Sequence, residues 1–337
     1  MTETARTVQQ TARPHGFPTP AHFAVTEHDL PTPAPGTALL ENLYWSVDPY
    51  HREMMDDVPG GFDLNAPLEG RSIGRVIDSR TPAYREGDLV LHRHGWRTHA
   101  TVTPAESRKL PHFDGVPLST HLSLLGGTGL TAYVGLTRIA RLQPSDDLFV
   151  TGAAGGVGTA TARFARLLGA GRLVGSAGSP AKVAHLLGSV GYDAAFDYHD
   201  GPAAELLAAA APDGVDLVID NVGGEQLAAA IASLREFGRI VRIGTISQYN
   251  TPEAPAPRIH YPDIVEKSLR MEGFLVSNYR EVQEELYEFA VPHLQSGALT
   301  ADETVVDGFD NLVPAFLGML RGENTGKIII RDPAAAR

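Results

Sequence analysis

The segment Thr151-Gly-Ala-Ala-Gly-Gly-Val-Gly158 follows a short apolar run, Leu148-Phe-Val150, and precedes a helical pattern at residues 159–168. Glycines at such a strand-to-helix turn let backbone N–H groups approach a pyrophosphate, and the start of the helix adds positive potential. Glycine also marks ordinary tight turns, so the run alone is a weak motif. Its position between a strand and a helix predicts a nucleotide-binding turn.

Strand patterns and helical patterns alternate on the C-terminal side of this turn. Strands are predicted at residues 172–175, 194–198, 215–220, 239–243 and 271–276, and helices at residues 180–187, 203–211, 226–235 and 281–294. Alternation of strands with helices of about ten residues is typical of a doubly wound parallel sheet. The sequence therefore predicts an α/β fold for this part of the chain.

The distribution of proline indicates a second domain of a different kind. Thirteen of the 24 prolines precede residue 118, and four lie between residues 118 and 251. Because proline cannot donate to a strand ladder or sit inside a helix, the proline-rich part favours short strands with many turns. Strand patterns separated by Gly, Pro and Asp occur there at residues 38–47, 71–78 and 88–92. This domain is predicted to be β-rich.

The C-terminal patterns, a helix at 312–320 and a strand at 327–330, are compatible with a return to the β-rich domain. We predict a first domain of residues 1–120 with 300–337, and an inserted second domain of residues 121–299. The first 14 residues are polar and have no apolar core. We expect a loose tail there and no signal peptide.

Composition excludes several classes of function. The 337 residues carry a formal net charge of −12 and include no cysteine. This excludes disulfides, a thiol nucleophile, an iron–sulfur cluster and a cysteine-rich zinc site. The acidic balance disfavours nucleic acid and anionic membranes as partners, and no stretch reaches the ~18 apolar residues of a membrane span. We expect a cytoplasmic protein without a nucleic-acid or membrane partner.

An acid-free stretch bears on the choice of cofactor. An NAD-binding fold places Asp or Glu about 20 residues after the glycine turn, where it holds the ribose hydroxyls. Here no acidic residue occurs between Leu148 and Tyr192, and Lys182 follows a predicted helix start at Ser179-Pro180. Lys182 taken alone is more typical of a solvated surface than of a phosphate site. A carboxylate would repel a 2′-phosphate, however, so its absence favours NADP(H).

Short motifs in a specific order extend over nearly the whole chain. They are Val47-Asp-Pro-Tyr-His-Arg52, Gly70-Arg-Ser-Ile-Gly-Arg-Val76, Gly129-Leu-Thr-Ala-Tyr133, Ala153-Ala-Gly-Gly-Val-Gly158, Asp220-Asn-Val-Gly-Gly224, Gly238-Arg-Ile240, Ile246-Ser-Gln-Tyr-Asn250, Phe274-Leu-Val276, Ala315-Phe-Leu-Gly-Met-Leu320 and Gly326-Lys327. With these motifs the sequence resembles the zinc-free medium-chain dehydrogenase/reductases. The similar branch is that of leukotriene B4 dehydrogenase/prostaglandin reductase, which comprises NADPH-dependent alkenal and enone reductases.

The resemblance implies a Rossmann domain inserted into a GroES-like β-rich domain, with NADPH/NADP+ as cofactor. It implies that Gly155, Gly156 and Val157 meet the pyrophosphate, and that Lys182 and Tyr198 meet the 2′-phosphate. The residues implied to hold the ribose and nicotinamide are Asn221, Ile243, Gly244, Thr245, Ile246, Ser247, Tyr249, Phe274, Leu275, Val276 and Asn324. Relatives are commonly dimers, so a homodimer is expected on resemblance.

Tyr249 is the predicted catalytic residue. Hydride attack on the β-carbon of an enone or enal leaves an enolate, whose oxygen needs hydrogen-bond donors where no zinc is held. Tyr249 follows a predicted sheet strand, and the family's tyrosine lies beside the nicotinamide ribose. The alternative is a tyrosine that packs on the proline-rich loop 251–257. Tyr50 either lines the substrate pocket or packs in its domain, and Thr131 either contacts the nicotinamide or caps a helix.

Two stretches depart from the family's pattern and bear on the substrate. Gly127-Thr128 stands where relatives often have Met-Pro, and the run Leu91-His-Arg-His-Gly-Trp96 is unusually basic. His92, His94 and His99 lie close together in sequence, and His92 and His94 would share a strand face. A packing or solvated role is favoured over a metal site because a third convincing ligand is missing.

The function predicted is NADPH-dependent reduction of the C=C bond of α,β-unsaturated ketones and aldehydes, by hydride transfer to the β-carbon and without zinc. The first alternative is a quinone reductase, or a reductase of a dedicated biosynthetic intermediate, on the same scaffold. The second is a protein that binds NADP(H) without turnover. Tyr249 and Asn221 within their motifs favour catalysis, and an enone, enal or quinone is the expected small-molecule partner.

Overall fold

The computed structural model describes residues 4–251 and 257–336, and the chain divides into two compact units. The first unit comprises Met1–Leu122, Thr304–Asn324 and Ile328–Arg337, and the second Ser123–Glu303 and Thr325–Lys327. The borders predicted from the sequence were 120/121 and 299/300. In the structure the second unit also takes up residues 325–327 at the end of the chain.

The described residues form fifteen strands and nine α-helices. The strands are β1 Thr4–Gln10, β2 Phe23–Asp29, β3 Ala38–Ser46, β4 Ser72–Ser79, β5 Leu89–His92, β6 His99–Val102, β7 Arg108–Lys109, β8 Leu148–Val150, β9 Leu173–Ala177, β10 Ala194–Asp197, β11 Val215–Asp220, β12 Leu234–Arg242, β13 Arg270–Gly273, β14 Glu303–Asp307 and β15 Lys327–Arg331. The α-helices are α1 Tyr50–Met54, α2 Gly127–Val134, α3 Gly156–Leu167, α4 Pro180–His185, α5 Ala203–Ala210, α6 Gly224–Ser233, α7 Tyr261–Glu266, α8 Gln283–Gln295 and α9 Leu312–Leu320. None of these helices has the length and apolar character needed to cross a membrane.

The first unit is built on a seven-stranded sheet. Its strand order is β14-β15-β3-β4-β5-β7, and β6 pairs with β3. Aromatic side chains fill the core beside this sheet: Trp45 meets Phe309 at 5.4 Å between ring centroids, and Trp96 meets Phe316 at 5.6 Å. The short strands and many turns are those that the proline distribution predicts.

The N-terminal segment is ordered, so the prediction of a loose tail is wrong for residues 4–10. Strand β1 pairs antiparallel with β2, from Thr4 opposite Asp29 to Gln10 opposite Phe23. Val8 is buried, and its N–H donates to the Trp96 carbonyl at 2.8 Å. Gln10 is buried as well, and its amide donates to the Met55 carbonyl at 2.8 Å. A polar segment can thus be part of a core where its buried polar groups find partners.

The second unit contains a six-stranded parallel sheet in the order β10-β9-β8-β11-β12-β13. Numbered within the unit, this is the order 3-2-1-4-5-6 of a dinucleotide-binding fold. The strand order reverses between β8 and β11, while all strands remain parallel. The predicted fold class is therefore confirmed. Strand β13 ends at Gly273, so residues 274–276 leave the sheet instead of extending it. They begin at its carboxyl edge, where ligands of such sheets bind.

Candidate functional site

The glycine turn connects β8 to α3 as predicted, and several of its glycines are required by the fold. Gly152 has a φ of +60°, which side chains rarely adopt. A Cβ atom on Gly158 would lie 2.4 Å from the Ala153 carbonyl oxygen. A Cβ atom on Gly156 would lie 2.9 Å from Cγ2 of Thr128. These glycines allow helix α3 to begin close against the turn and against α2.

Gly155 differs, because the fold itself does not require a glycine there. It is the N-cap of α3, with φ −80° and ψ 172°, which any residue adopts. The nearest contact of an added Cβ would be the Gly152 carbonyl oxygen at the ordinary distance of 3.4 Å. The missing side chain leaves space beside backbone N–H groups at a helix N-terminus. This space fits a phosphate group, which is the fit expected of a dinucleotide turn.

The turn is anchored by the end of the second unit. Gly155 forms a parallel β-bridge with Gly326, whose N–H donates to the Ala154 carbonyl at 2.7 Å. Gly326 has a φ of +67°, and a Cβ there would lie 2.1 Å from the Asp302 carbonyl oxygen. The Gly326-Lys327 motif therefore supports the glycine turn from behind, a role that its sequence does not reveal.

Strand β9 ends beside the two residues implied to meet a 2′-phosphate. A Cβ on Gly178 would lie 2.8 Å from the hydroxyl oxygen of Tyr198, so this ring covers the Gly178 backbone. Ser179 is the N-cap of α4 and accepts a hydrogen bond from the Lys182 N–H at 3.3 Å. Burial lowers the pKa of Lys182, and burial followed by the charge of Asp197 raises the pKa of Tyr198. The sheet edge thus brings a cation and a phenol to the end of β9.

A buried carboxylate organises the loop after β11, and sequence reasoning missed it. Asp220 has no exposed surface and accepts hydrogen bonds from the Thr151 hydroxyl at 2.7 Å and from the Val222 N–H at 3.2 Å. The Gly223 N–H donates to both of its oxygens, at 3.1 and 3.2 Å, and Arg242 forms an ion pair with it. An acid that follows the apolar run Leu217-Val-Ile219 at the carboxyl end of a predicted strand is the signal that could have found it.

Asn221 lies in this loop, and part of its hydrogen-bonding capacity is used within the protein. Its side-chain amide donates to the Thr151 carbonyl at 2.8 Å, and its N–H donates to the Thr151 hydroxyl at 2.9 Å. Its carbonyl accepts from the Ile246 N–H at 3.3 Å. Asn221 therefore connects the glycine turn to the segment 243–249, both of which are implied to contact the cofactor.

The segment 243–249 follows β12 and crosses the carboxyl edge of the sheet. The Ile243 N–H donates to the Asp220 carbonyl at 2.9 Å, and the Ser247 hydroxyl donates to the Val222 carbonyl at 2.7 Å. A Cβ on Gly244 would lie 3.8 Å from the hydroxyl oxygen of Tyr249. The Tyr249 hydroxyl therefore lies over the backbone of this segment. Most of the loop on which Tyr249 could alternatively pack, residues 252–256, is outside the described residues.

The residues after β13 border the same edge. The Phe274 ring meets Tyr279 edge-on at 5.8 Å between centroids and lies 3.8 Å from a Cβ placed on Gly135. Val276 is half-buried, whereas Leu275 keeps 69% of its surface exposed. Asn324, also implied at the cofactor, belongs to the first unit and is half-buried, and its role stays a prediction.

Thr131 and the departure Gly127-Thr128 both lie in α2. The Thr131 hydroxyl donates to the Gly127 carbonyl at 2.7 Å, so it bonds back within the helix and does not cap it. Thr128 is the residue that meets Gly156 of the glycine turn. The departure from the family's pattern therefore borders the turn and not a distant surface.

Tyr50 in the first unit lies within a group of charged side chains. The Arg93 guanidinium donates to its hydroxyl at 3.4 Å and to Glu69 at 2.7 Å. Asp48 accepts from the Ser46 hydroxyl at 2.6 Å. Burial, followed by the charge of Asp48, raises the pKa of Tyr50 to about 12. Tyr50 is a neutral phenol at neutral pH, and Arg93 explains part of the basic run singled out in the sequence.

The three histidines singled out in the sequence, His92, His94 and His99, all contact other protein groups, and His92 is buried. His92 is buried, and its Nε2 meets the Asn42 side-chain oxygen at 2.8 Å while its Nδ1 accepts from the His94 N–H at 3.1 Å. Burial lowers the pKa of His92 to about 3. His94 contacts Glu106 at 3.2 Å, and His99 contacts Thr98 at 3.1 Å. In the part of the chain that the structure describes, no three His, Asp or Glu side chains form a metal-binding group.

Comparisons with known proteins agree with this architecture. Residues 6–110 match the protein-family model described as the N-terminal domain of oxidoreductase. Residues 156–294 match the family model described as zinc-binding dehydrogenase. The chain is 38% identical to prostaglandin reductase 1 of Mus musculus over 94% of this chain and 95% of that protein. It is 34% identical to the 2-alkenal reductase (NADP(+)-dependent) of Nicotiana tabacum, over 87% and 86%. The crystal structure of CurA from Vibrio vulnificus in complex with NADPH is similar at a TM-score of 0.90 and 31% identity, covering 97% of this chain and 99% of that one.

Proposed function

Because the chain belongs to the zinc-free medium-chain dehydrogenase/reductases, in the prostaglandin reductase branch, we propose that it reduces the C=C bond of α,β-unsaturated ketones and aldehydes with NADPH. The observation that carries this proposal is the open N-cap at Gly155, together with the Tyr249 hydroxyl at the carboxyl edge of the same sheet. The first offers a phosphate site and the second a hydrogen-bond donor. The relatives of this chain include a prostaglandin reductase and an alkenal reductase.

Most of the cofactor residues follow the carboxyl ends of the strands of the parallel sheet. We assign the pyrophosphate to the N–H groups of Gly155, Gly156 and Val157, which begin α3. Lys182 and Tyr198 would hold the 2′-phosphate, and Lys182 lies in the stretch 148–192, which contains no carboxylate. The ribose and nicotinamide would lie along Asn221, residues 243–249 and residues 274–276, with Asn324 as a further contact.

The proposed reaction requires this chain to stabilise negative charge on the carbonyl oxygen of the substrate. NADPH, when bound, supplies a hydride to the β-carbon of the substrate. The Tyr249 hydroxyl donates a hydrogen bond to the carbonyl oxygen, where charge develops as the C=C bond is reduced. A phenol is suited to this role because it remains protonated at neutral pH. We also propose that Tyr50, a neutral hydroxyl to which Arg93 donates a hydrogen bond within the first unit, binds the substrate.

Oxidation of NADPH, followed by absorbance, tests the reaction against a panel of enals, enones, prostaglandin-like ketones and quinones. We expect turnover of enals and enones, with the C=C bond reduced and the carbonyl retained in the product. Preferential turnover of quinones would favour the quinone-reductase alternative. Tight NADPH binding without reduction of any member would contradict the reductase function and favour a binding protein. The compartment that we propose is the cytoplasm, where NADPH is regenerated.

The oligomeric state that we propose is a homodimer formed through β13. This strand is at one end of the sheet order, and all four of its residues are exposed. An antiparallel copy centred on Met271 would place Arg270 opposite the partner's Glu272, a favourable cross-strand pair. Exposed apolar side chains occur on β13, on its neighbour β12, on α7 and directly after β13: Phe237, Tyr261, Val265, Met271 and Leu275.

Replacement of Met271 by Asp is expected to convert the dimer into a monomer, because two carboxylates would oppose each other at the centre of the interface. Light scattering after size exclusion measures the molar mass. Leu187→Asp is the matched control, since Leu187 is 45% and Met271 44% exposed. A monomeric wild type, or a Met271→Asp protein that stays dimeric, would refute this interface.

A further inference from the structure

The ion pair between Arg242 and Asp220 lies at the centre of the predicted cofactor edge, although the resemblance implies a cofactor contact for neither residue. In the sheet register Asp220 pairs with Arg242 on β12, and Arg242 pairs with Gly273 on β13. The residues that follow these three positions are Asn221, residues 243–249 and residues 274–276. Arg242 therefore lies in the middle of the three segments that would hold the ribose and nicotinamide.

The pair also fixes the backbone of two of these segments. A Cβ on Gly223, which has a φ of +77°, would lie 3.4 Å from Nη2 of Arg242 and 3.7 Å from the Ser247 hydroxyl. Glycine at this position thus lets the guanidinium reach the turn after β11. The same turn donates the Gly223 N–H to Asp220, and Ser247 closes it from the other side. Arg242 and Asp220 hold the turn between them.

Charge gives the pair a second task. Asp220 has no exposed surface and accepts from Thr151, the first residue of the glycine turn. An uncompensated carboxylate at that depth would oppose a polyanionic dinucleotide and would be costly to bury. The Arg242 side chain is 20% exposed and makes a direct ion pair with this carboxylate. Arg242 therefore neutralises the buried acid that is hydrogen-bonded to the glycine turn.

We propose that Arg242 is a positioning residue for the cofactor, acting through Asp220. It sets NADPH affinity by holding the turn 221–224 and by neutralising the carboxylate beneath the glycine turn, without touching the reacting atoms. This inference rests on the proposed function, because it assumes NADPH as the ligand. It predicts a change in binding that is separate from the chemical step.

The test is direct NADPH binding to Arg242→Met, measured by nucleotide fluorescence in the absence of substrate. We expect Kd to rise about 10- to 100-fold, the effect of losing a hydrogen bond to a charged group. At saturating NADPH, kcat on an enal should stay within about threefold of wild type, because the pair does not meet the reacting atoms. Arg242→Lys should recover much of the affinity.

A second arginine on the same strand provides the control. Arg239 pairs with Asp146 at 2.6 Å, with side-chain exposures of 17% and 10%, three residues before Arg242 and toward the amino end of β12. Arg239→Met removes a comparably buried pair and should lower thermal stability without changing Kd for NADPH. If both variants weaken binding equally, the Arg242 effect is general destabilisation and the proposal is wrong.

The double variant Asp220→Asn/Arg242→Met keeps the test decisive if the single variant folds poorly. It removes both charges, which is often tolerated where removal of one is not. Where Arg242→Met and Asp220→Asn both fold as single variants, their losses in NADPH affinity will not add in the double variant if the residues act as a unit. Where Arg242→Met does not fold, the double variant is compared with the wild type directly. It should bind NADPH at least about fivefold more weakly, because the turn 221–224 has lost its ion pair, and a wild-type Kd would overturn the inference. Additive losses, or a Kd within twofold of wild type for Arg242→Met, would overturn the inference. If the wild type itself does not bind NADPH, the failure belongs to the proposed function.

Discussion

Gly155→Ala is expected to fold normally and to lose at least about 100-fold in NADPH affinity. The added methyl group would occupy the space where a pyrophosphate oxygen must approach the N–H groups at the start of α3. Two charge-assisted hydrogen bonds lost or lengthened there account for a change of this size. The fold tolerates the methyl group, because its nearest contact would be 3.4 Å away. An N-cap change of this kind costs about 1 kcal/mol of stability at most.

Two other glycines of the second unit make this a matched series. Gly158→Ala would place Cβ 2.4 Å from a backbone oxygen, so we expect it to destabilise the fold itself. Gly188 has no atom within 4 Å of an added Cβ and lies in a helical turn. Gly188→Ala should therefore leave both binding and stability intact, or raise stability slightly. Thermal denaturation and NADPH titration of the three variants distinguish a methyl group that blocks the ligand from one that disrupts the fold. A wild-type Kd for NADPH in Gly155→Ala would refute the assignment of the pyrophosphate to this turn.

The sheet of the second unit was predictable because its signals are local. Each strand is a short apolar run followed by a helical pattern, and glycine punctuates the first turn. Residue 234, where β12 begins, was not predicted, since the strand pattern was read only from Arg239 onward. The extension comes from pairing of Leu234 with Val215, with a register shift that no local pattern encodes.

The N-terminal strand was missed because its sequence is polar and some of the contacts that hold it lie far along the chain, at Met55 and Trp96. Thr4-Ala-Arg-Thr-Val-Gln-Gln10 contains little apolar surface, and polarity alone suggested a tail. Pairing with residues 23–29 and the hydrogen bond from Gln10 to Met55 supply what composition lacks. Tertiary partners decide such segments, so intrinsic propensity is only a weak guide.

The candidate site was predictable only where a motif names a residue. Motif resemblance implies site roles for Gly155, Asn221 and Tyr249, which remain predictions, and all three lie in the second unit after the carboxyl ends of strands. It could not identify Arg242 as the partner of Asp220, which lies 22 residues away and meets it only through strand register. Nor did sequence indicate that the Asn221 amide donates to Thr151. Pairwise geometry, not residue type, assigns these roles.

Tyr249→Phe is expected to lower kcat on enones about 100- to 1,000-fold, with Kd for NADPH within about threefold of wild type. The variant keeps the ring and removes only the hydroxyl, which lies over Gly244 at the carboxyl edge of β12. Loss of one hydrogen-bond donor to a developing oxyanion has an effect of this size, because the donor acts more strongly in the transition state than in the ground state. Binding of the cofactor does not depend on that donation.

Tyr279→Phe is the control, since this half-buried tyrosine lies in the same unit and packs its ring against Phe274. It should turn over enones as the wild type does. A role of Tyr249 in packing would appear as a lower melting temperature with little change in kcat, and that outcome would exclude the catalytic assignment. If Tyr249 acts in the chemical step, Tyr249→Phe should also show a larger kinetic isotope effect than the wild type with NADPH deuterated at the transferred position. Removal of the donor makes the chemical step slower, and a slower chemical step expresses its isotope effect more fully.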